Sequence, residues 1–228
     1  MTMPITWLRW LVTARRHPSA LLLVVQLAGV LLYPTMEDTD LGRVLFGVFG
    51  MLVLALALWV VNRSPSINWI AWCLAVPAVL LSLLSIGLQH PGLLVYAHLL
   101  EGALYFYTAA SLTAYMLADH KVTSDELYAA GATFTLLAWA FAFAFSVCQI
   151  VYPGSFVAVS EGTQRSWMEL LYLSFSLLSG VGLSDVVPVL PQARALVMLA
   201  QFAGVMYIAL VVSRLIGLSI VARRSGGG

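Results

Sequence analysis

Long apolar stretches broken by short polar clusters set the pattern of this chain. Runs with few or no charges cover 19–36, 44–61, 67–88, 93–117, 127–151 and 195–214. Each is near the roughly 20 residues that an α-helix needs to cross a bilayer. The breaks are Glu37-Asp38-Thr39-Asp40, Asn62-Arg63-Ser64-Pro65, His90-Pro91-Gly92 and a polar connection at 119–126; Pro77 falls inside the third run. Between the fifth and sixth runs the pattern changes. Ser166-Trp167-Met168-Glu169 has the form of a capping box, which predicts a helix starting at Trp167. That helix extends only to about Leu178, some ~18 Å at 1.5 Å per residue, too short to span. A Gly/Ser-rich tract, 179–185, follows it. Non-helical backbone at membrane depth is tolerated only where protein buries it or it lines a watery path. The pattern therefore predicts an all-α membrane protein of six transmembrane helices, with a re-entrant helix and loop before the last.

The ends of the chain add little. Residues 6–16 carry Trp7, Trp10, Arg9, Arg15 and Arg16, which fits either an interfacial amphipathic helix over 1–18 or a simple basic anchor. No small-residue cleavage site follows a short apolar core, so a cleaved signal peptide is not expected. Residues 221–228 are expected to form a C-terminal tail.

Composition agrees with the pattern. At 61% hydrophobic and 9% charged residues, with a mean hydropathy of +0.95, the chain lies outside the soluble globular range. The net charge of +1 gives no reason to expect a nucleic-acid partner; the expected surroundings are membrane lipid. Charge position says more than the total. With the N-terminus inside, the inner side receives Arg9, Arg15, Arg16, Arg63, Lys121, Arg214, Arg223 and Arg224, and the outer side Arg43, Arg165 and Arg194. That asymmetry follows the positive-inside rule, places both termini in the cytoplasm and puts the re-entrant loop outside. Cys73 and Cys148 form no metal or redox spacing and read as small core residues.

The tract Ser179-Gly180-Val181-Gly182-Leu183-Ser184-Asp185 resembles the filter signature TTVGYGD of the tetrameric potassium-channel pore family, with Val181, Gly182 and Asp185 matching. Tyr172-Leu173-Ser174-Phe175 resembles the aromatic, hydroxyl-bearing pore helix of many prokaryotic members, and Val186-Val187-Pro188 the filter exit. Gly204, nineteen residues past Asp185, stands where the family commonly has a gating-hinge glycine. The resemblance covers about 127–220. It implies a pore domain of outer helix, pore helix, filter (179–185) and inner helix over 127–220. Ahead of it stand a four-span domain, 19–118, and a cytoplasmic linker, 119–126. It also implies a homotetramer in a prokaryotic plasma membrane, no cofactor, and potassium as the permeant monovalent cation.

Three departures fall where selectivity is made. In the family, rings of backbone carbonyls replace the hydration shell of the ion. The position that adds a hydroxyl ring is Gly180, the bracing aromatic is Leu183, and the second filter glycine is Ser184. Potassium selectivity, weak selectivity and poor conduction all stay open, as does a membrane sensor or interaction protein that does not conduct.

The fourth run, 93–117, holds no arginine or lysine, so no voltage sensor is expected, because gating charge has to cross the field. Its chemical feature is His98 and Glu101, three residues apart on one helix face, with Tyr105 a turn further on. An ionisable residue inside a membrane is costly and expects a partner. The pair fits a proton- or metal-responsive sensor, or a polar contact that fixes helix packing; two ligands fall short of a metal site. Near the pore lie Glu161, Glu169 and Asp185. Asp185 fits a ring of carboxylates at the outer mouth or a structural bond behind the filter, and Glu169 fits the capping partner of Ser166.

Gly182-Leu183-Ser184-Asp185 also loosely resembles the Gly-x-Ser-Gly of intramembrane serine proteases. Their base comes from a later histidine, and all four histidines here precede residue 121. No enzyme is expected. A transporter would show broken helices in both halves, and only the second half has one.

Overall fold

The structure, a computed structural model, describes residues 18–36, 40–61, 68–88, 91–118, 124–159, 162 and 164–225. The segment expected to lie in the interface (6–16), Glu161 and the first five residues of the linker fall outside them. Seven helices are described: α1 Pro18–Met36, α2 Asp40–Val61, α3 Asn68–Leu88, α4 Pro91–Ala118, α5 Ser124–Val151, α6 Trp167–Leu178 and α7 Pro191–Ser225. Two short strands, β1 Phe156–Val157 and β2 Val187–Pro188, flank α6.

Six of the helices stand at the six apolar runs, and α6 begins and ends where the capping box and the Gly/Ser tract place its limits. Several boundaries differ from expectation. Pro91 and Gly92 open α4 rather than break the chain, because a proline at the first helical position loses no intrahelical bond. Pro18 and Pro191 open α1 and α7 in the same way. Ser124 starts α5 inside the segment expected to be a linker, and α7 runs on to Ser225 rather than ending in a tail at 221.

The architecture is centred on α5, which packs against α4, α1, α6 and α7. Ala129, Ala132, Ala138, Ala140 and Ala142 are all fully buried along it, and such small residues let neighbouring helix backbones approach closely. Trp139 and Phe145 fill the remaining space. Two long-range hydrogen bonds fix its partners. Thr135 Oγ1 donates to Gln26 Oε1 of α1 at 2.7 Å, and Tyr207 of α7 donates through its hydroxyl to Ala130 O at 2.6 Å.

Two stretches, Leu127–Val151 in α5 and Pro191–Arg214 in α7, are long and apolar enough to cross a membrane. The apolar parts of the first three helices, Pro18–Pro34, Phe49–Val60 and Trp69–Ser85, are shorter. The two long stretches differ in environment: over an 18-residue apolar window, 67% of the first is buried within the chain but only 22% of the second. Met198, Leu199, Phe202, Val205 and Met206 of α7 are all more than half exposed. α7 thus carries an apolar face that this single chain leaves uncovered.

Candidate functional site: the re-entrant segment and the cavity behind it

The re-entrant helix is fixed at both ends by backbone chemistry. At its start both bonds of the capping box form. Glu169 N donates to Ser166 Oγ at 3.3 Å, and Ser166 N donates to Glu169 Oε2 at 2.6 Å. Glu169 is thereby the capping partner expected of it, and it also pairs with Arg165 at 3.4 Å. One residue earlier the amide of Gln149, buried in the last turn of α5, clamps Arg165 from both sides. Arg165 N donates to Gln149 Oε1 at 2.9 Å, and Gln149 Nε2 donates to Arg165 O at 3.0 Å.

The far end turns on glycine. Ser179 is the C-cap, and Gly180 just beyond it has φ +74°. A left-handed residue at that place commonly ends a helix, and glycine adopts it without Cβ strain. Gly180 N donates to Leu177 O at 3.2 Å, and Gly182 N, with φ +70°, folds back to Ser176 O at 3.1 Å. The carbonyls of Phe175, Ser176 and Leu177 near the end of α6 are satisfied by the tract that follows. Gly180 therefore has a positive role besides the hydroxyl it lacks.

From there the strand runs out uncovered. Val181 and Leu183 are 70% and 68% exposed, so among the described residues Leu183 is left largely uncovered. Ser184 accepts a hydrogen bond from Val186 N at 3.1 Å, and Val186 is buried. Asp185 is exposed, and among the described residues nothing bonds its carboxylate. The strand is then caught by an antiparallel ladder that pairs Phe156 with Pro188 and Val157 with Val187, extended by Val189 N donating to Ser155 O at 2.9 Å. Phe156 is buried against Phe145 of α5, ring centres 5.5 Å apart. The outward end of the tract is tied to α5 in this way.

Gly204 is buried in α7 where that helix crosses the end of α6. A Cβ placed on it would lie 2.5 Å from Leu178 Cα and 2.7 Å from Leu178 C, with the carbonyl oxygen nearer still. Glycine is required here for close approach of two backbones, a role distinct from the hinge that the resemblance implies.

His98 and Glu101 sit on one face of α4 and do not bond to each other. Ser82 of α3 donates to Glu101 Oε1 at 2.8 Å, while His98 Nδ1 meets Ser146 Oγ of α5 at 3.0 Å. Each residue joins α4 to a different helix, as a packing role requires. Both also line a cavity of about 420 Å³ between α2, α3, α4, α5 and the start of α6. Its aromatic wall is Tyr105, Trp139, Phe143 and Trp167, with Phe143 and Trp167 centred 4.3 Å apart. No group of three metal-ligating side chains occurs among the described residues, and Cys73 and Cys148 are both free.

The sequence profile of an ion channel family matches residues 102–218, from the middle of α4 to α7. The chain belongs to the ion channel family. The match covers just over half of the chain and includes α5, α6, the glycine tract and α7, bearing out the resemblance to potassium-channel-like pores. No curated protein and no solved structure matched the chain. Membership of this family implies a channel of the membrane rather than an enzyme. Sequence reasoning missed the Gln149 clamp and the β1–β2 ladder of this channel. A lone amide at the end of an apolar run was the available signal for the first. The ladder had none, being a pair of two-residue strands.

Proposed function

We propose that four copies of the chain assemble around one axis into a six-span monovalent-cation channel. Residues 179–185 of each copy form one wall of the filter. The observation that carries this reading is the uncovered tract itself. A strand with its glycines in left-handed turns, Val181 and Leu183 exposed, ends a helix too short to span. Beside it α7 turns an apolar face outward. One strand cannot surround an ion, and copies around an axis would cover that face and bring carbonyls from four sides. Asp185, exposed and unbonded among the described residues, would then supply a ring of carboxylates that concentrates cations at the outer mouth. α1–α4 and the charge asymmetry fit a scaffold with both termini in the cytoplasm, in a prokaryotic plasma membrane. Gly180, Leu183 and Ser184 together leave fewer stiff oxygen rings than the family pattern, so potassium is weakly preferred over other monovalent cations.

Two measurements test this. Particle images in mild detergent should show four copies, and a stable monomer would sink the assembly. Liposome flux should show small reversal potentials between potassium and sodium, and Leu183→Tyr with Ser184→Gly should enlarge them. Strong potassium selectivity of the unaltered protein would overturn the weakened filter. Tetramers that carry no flux under any cation gradient would favour a non-conducting sensor.

A further inference from the structure

We propose that the cavity between α2–α5 and the start of α6 is a binding site for a small organic ammonium ion, with Glu101 as its counter-charge. Three observations converge on that chemistry. The first is charge. Arg165 also lines the cavity, but its guanidinium is matched by Glu169 at 3.4 Å. Among the described residues Glu101 has only the Ser82 hydroxyl as a bonding partner. A carboxylate within a membrane helix expects a partner, and among the described residues no cationic group bonds this one.

The second is the wall. Tyr105, Trp139, Phe143 and Trp167 pack ring on ring: Tyr105 lies 5.5 Å from Phe143, Trp139 lies 6.0 Å from Trp167, and Phe143 lies 4.3 Å from Trp167. Phe143 and Trp167 line the same space as Glu101, and Tyr105 and Trp139, almost fully buried, back them. Aromatic faces attract alkylammonium groups through the ring quadrupole. A bare inorganic cation needs a shell of oxygens instead, and carbon makes up most of this wall. The third is size. About 420 Å³ falls in the usual range of small-molecule sites, about 300–1,000 Å³, and exceeds what one water or metal ion fills.

The site would act on the pore through α6. Trp167 is the first residue of that helix and one wall of the cavity, next to the Arg165 that Gln149 clamps. A bound cation adds contacts to the helix whose other end carries the glycine tract. Binding itself does not rest on the pore reading. A chain that binds but does not conduct would lose only the regulatory consequence.

The probe is choline, a permanent cation, compared with 3,3-dimethylbutan-1-ol, its uncharged carbon analogue. Each is titrated calorimetrically into the full-length protein in detergent. Choline should bind saturably and at least about tenfold more tightly than the alcohol, a difference set by charge alone. Glu101→Gln should weaken choline about tenfold or more and leave the alcohol unchanged. Phe143→Leu should weaken choline while Trp167→Phe, which keeps a ring, retains most of it; these serve if Glu101→Gln does not fold. Asp185→Asn should leave choline binding intact, and a loss there would put the cation at the outer mouth and overturn the assignment. Equal affinity for the two probes, an unchanged Glu101→Gln, or no saturable heat up to about 10 mM choline would each overturn it as well.

Discussion

Gly204→Ala separates two accounts of one glycine. If Gly204 serves only as a flexible point in α7, alanine removes that flexibility. It then stabilises the helix by about 0.5–1 kcal/mol, since glycine is the poorer helix former. The observed crossing dictates the opposite sign. The added methyl would sit 2.5 Å from Leu178 Cα and 2.7 Å from Leu178 C, against ordinary carbon contacts of about 3.5–4.0 Å. Relief requires a shift of roughly 1 Å. The obstructing atoms are backbone at the end of α6, so no side chain can rotate away. Overpacking of this kind costs about 1–3 kcal/mol, which outweighs the propensity gain and leaves a net loss of about 1–2 kcal/mol. At about 2–4 °C per kcal/mol for a chain of this size, the melting temperature in detergent should fall by several degrees. Flux should change with it, because Leu178 precedes the tract by one residue. Tryptophan fluorescence melts of the two proteins, paired with liposome flux, give both readouts. A melting temperature that is unchanged or raised would refute the close-approach account and return Gly204 to the role of a hinge.

Three further outcomes follow from the same region. Gln149→Leu keeps apolar volume but strands the N–H and C=O of Arg165; at about 1–3 kcal/mol per buried unpaired group it should destabilise more than Gln149→Glu, which keeps the acceptor, and equal melts would reject the clamp. Gly180→Ala forces a Cβ into φ +74°, a loss of about 1–2 kcal/mol, whereas Ser179→Ala at the neighbouring C-cap should fall within about 0.5 kcal/mol; similar melts for both would show that the turn is not glycine-dependent. Open probability in bilayer recordings should vary shallowly from about −100 to +100 mV, because one charge crossing the field gains only ~2.3 kcal/mol per 100 mV and 93–117 holds no basic residue; steep activation would contradict it.

Helices were the legible part of this chain because in a membrane the apolar runs and their breaks carry most of the pattern. The capping box at Ser166 and Glu169 marked the start of α6, since its two bonds depend on residues three apart. Pro91-Gly92 misled, because a proline inside a turn-like cluster also suits the first helical position. At Gly180 the missing hydroxyl was readable from the resemblance, but the left-handed turn was not drawn from the glycine itself. Gly204 was found by position and its physical reason was hidden, as the backbone it touches lies 26 residues earlier in the chain. His98 and Glu101 looked like mutual partners from their spacing. Their bonds go to Ser146 and Ser82, on helices that no local pattern could pair with α4.

The ladder between β1 and β2 has a consequence for the order in which the chain folds. Phe156 and Pro188 pair across 32 residues, and everything between them includes a helix too short to rest in lipid by itself. Synthesis proceeds from the N-terminus, so α5 and α6 are made before either Pro188 or Gly204 exists. During that interval the carbonyls of the tract have no protected place within the membrane. The loop closes only when β2 arrives, and α6 gains its second wall only when α7 packs against Leu178. A chain truncated between residues 185 and 188 would therefore have a re-entrant segment that lies open to proteases. The full-length chain should resist the same protease there.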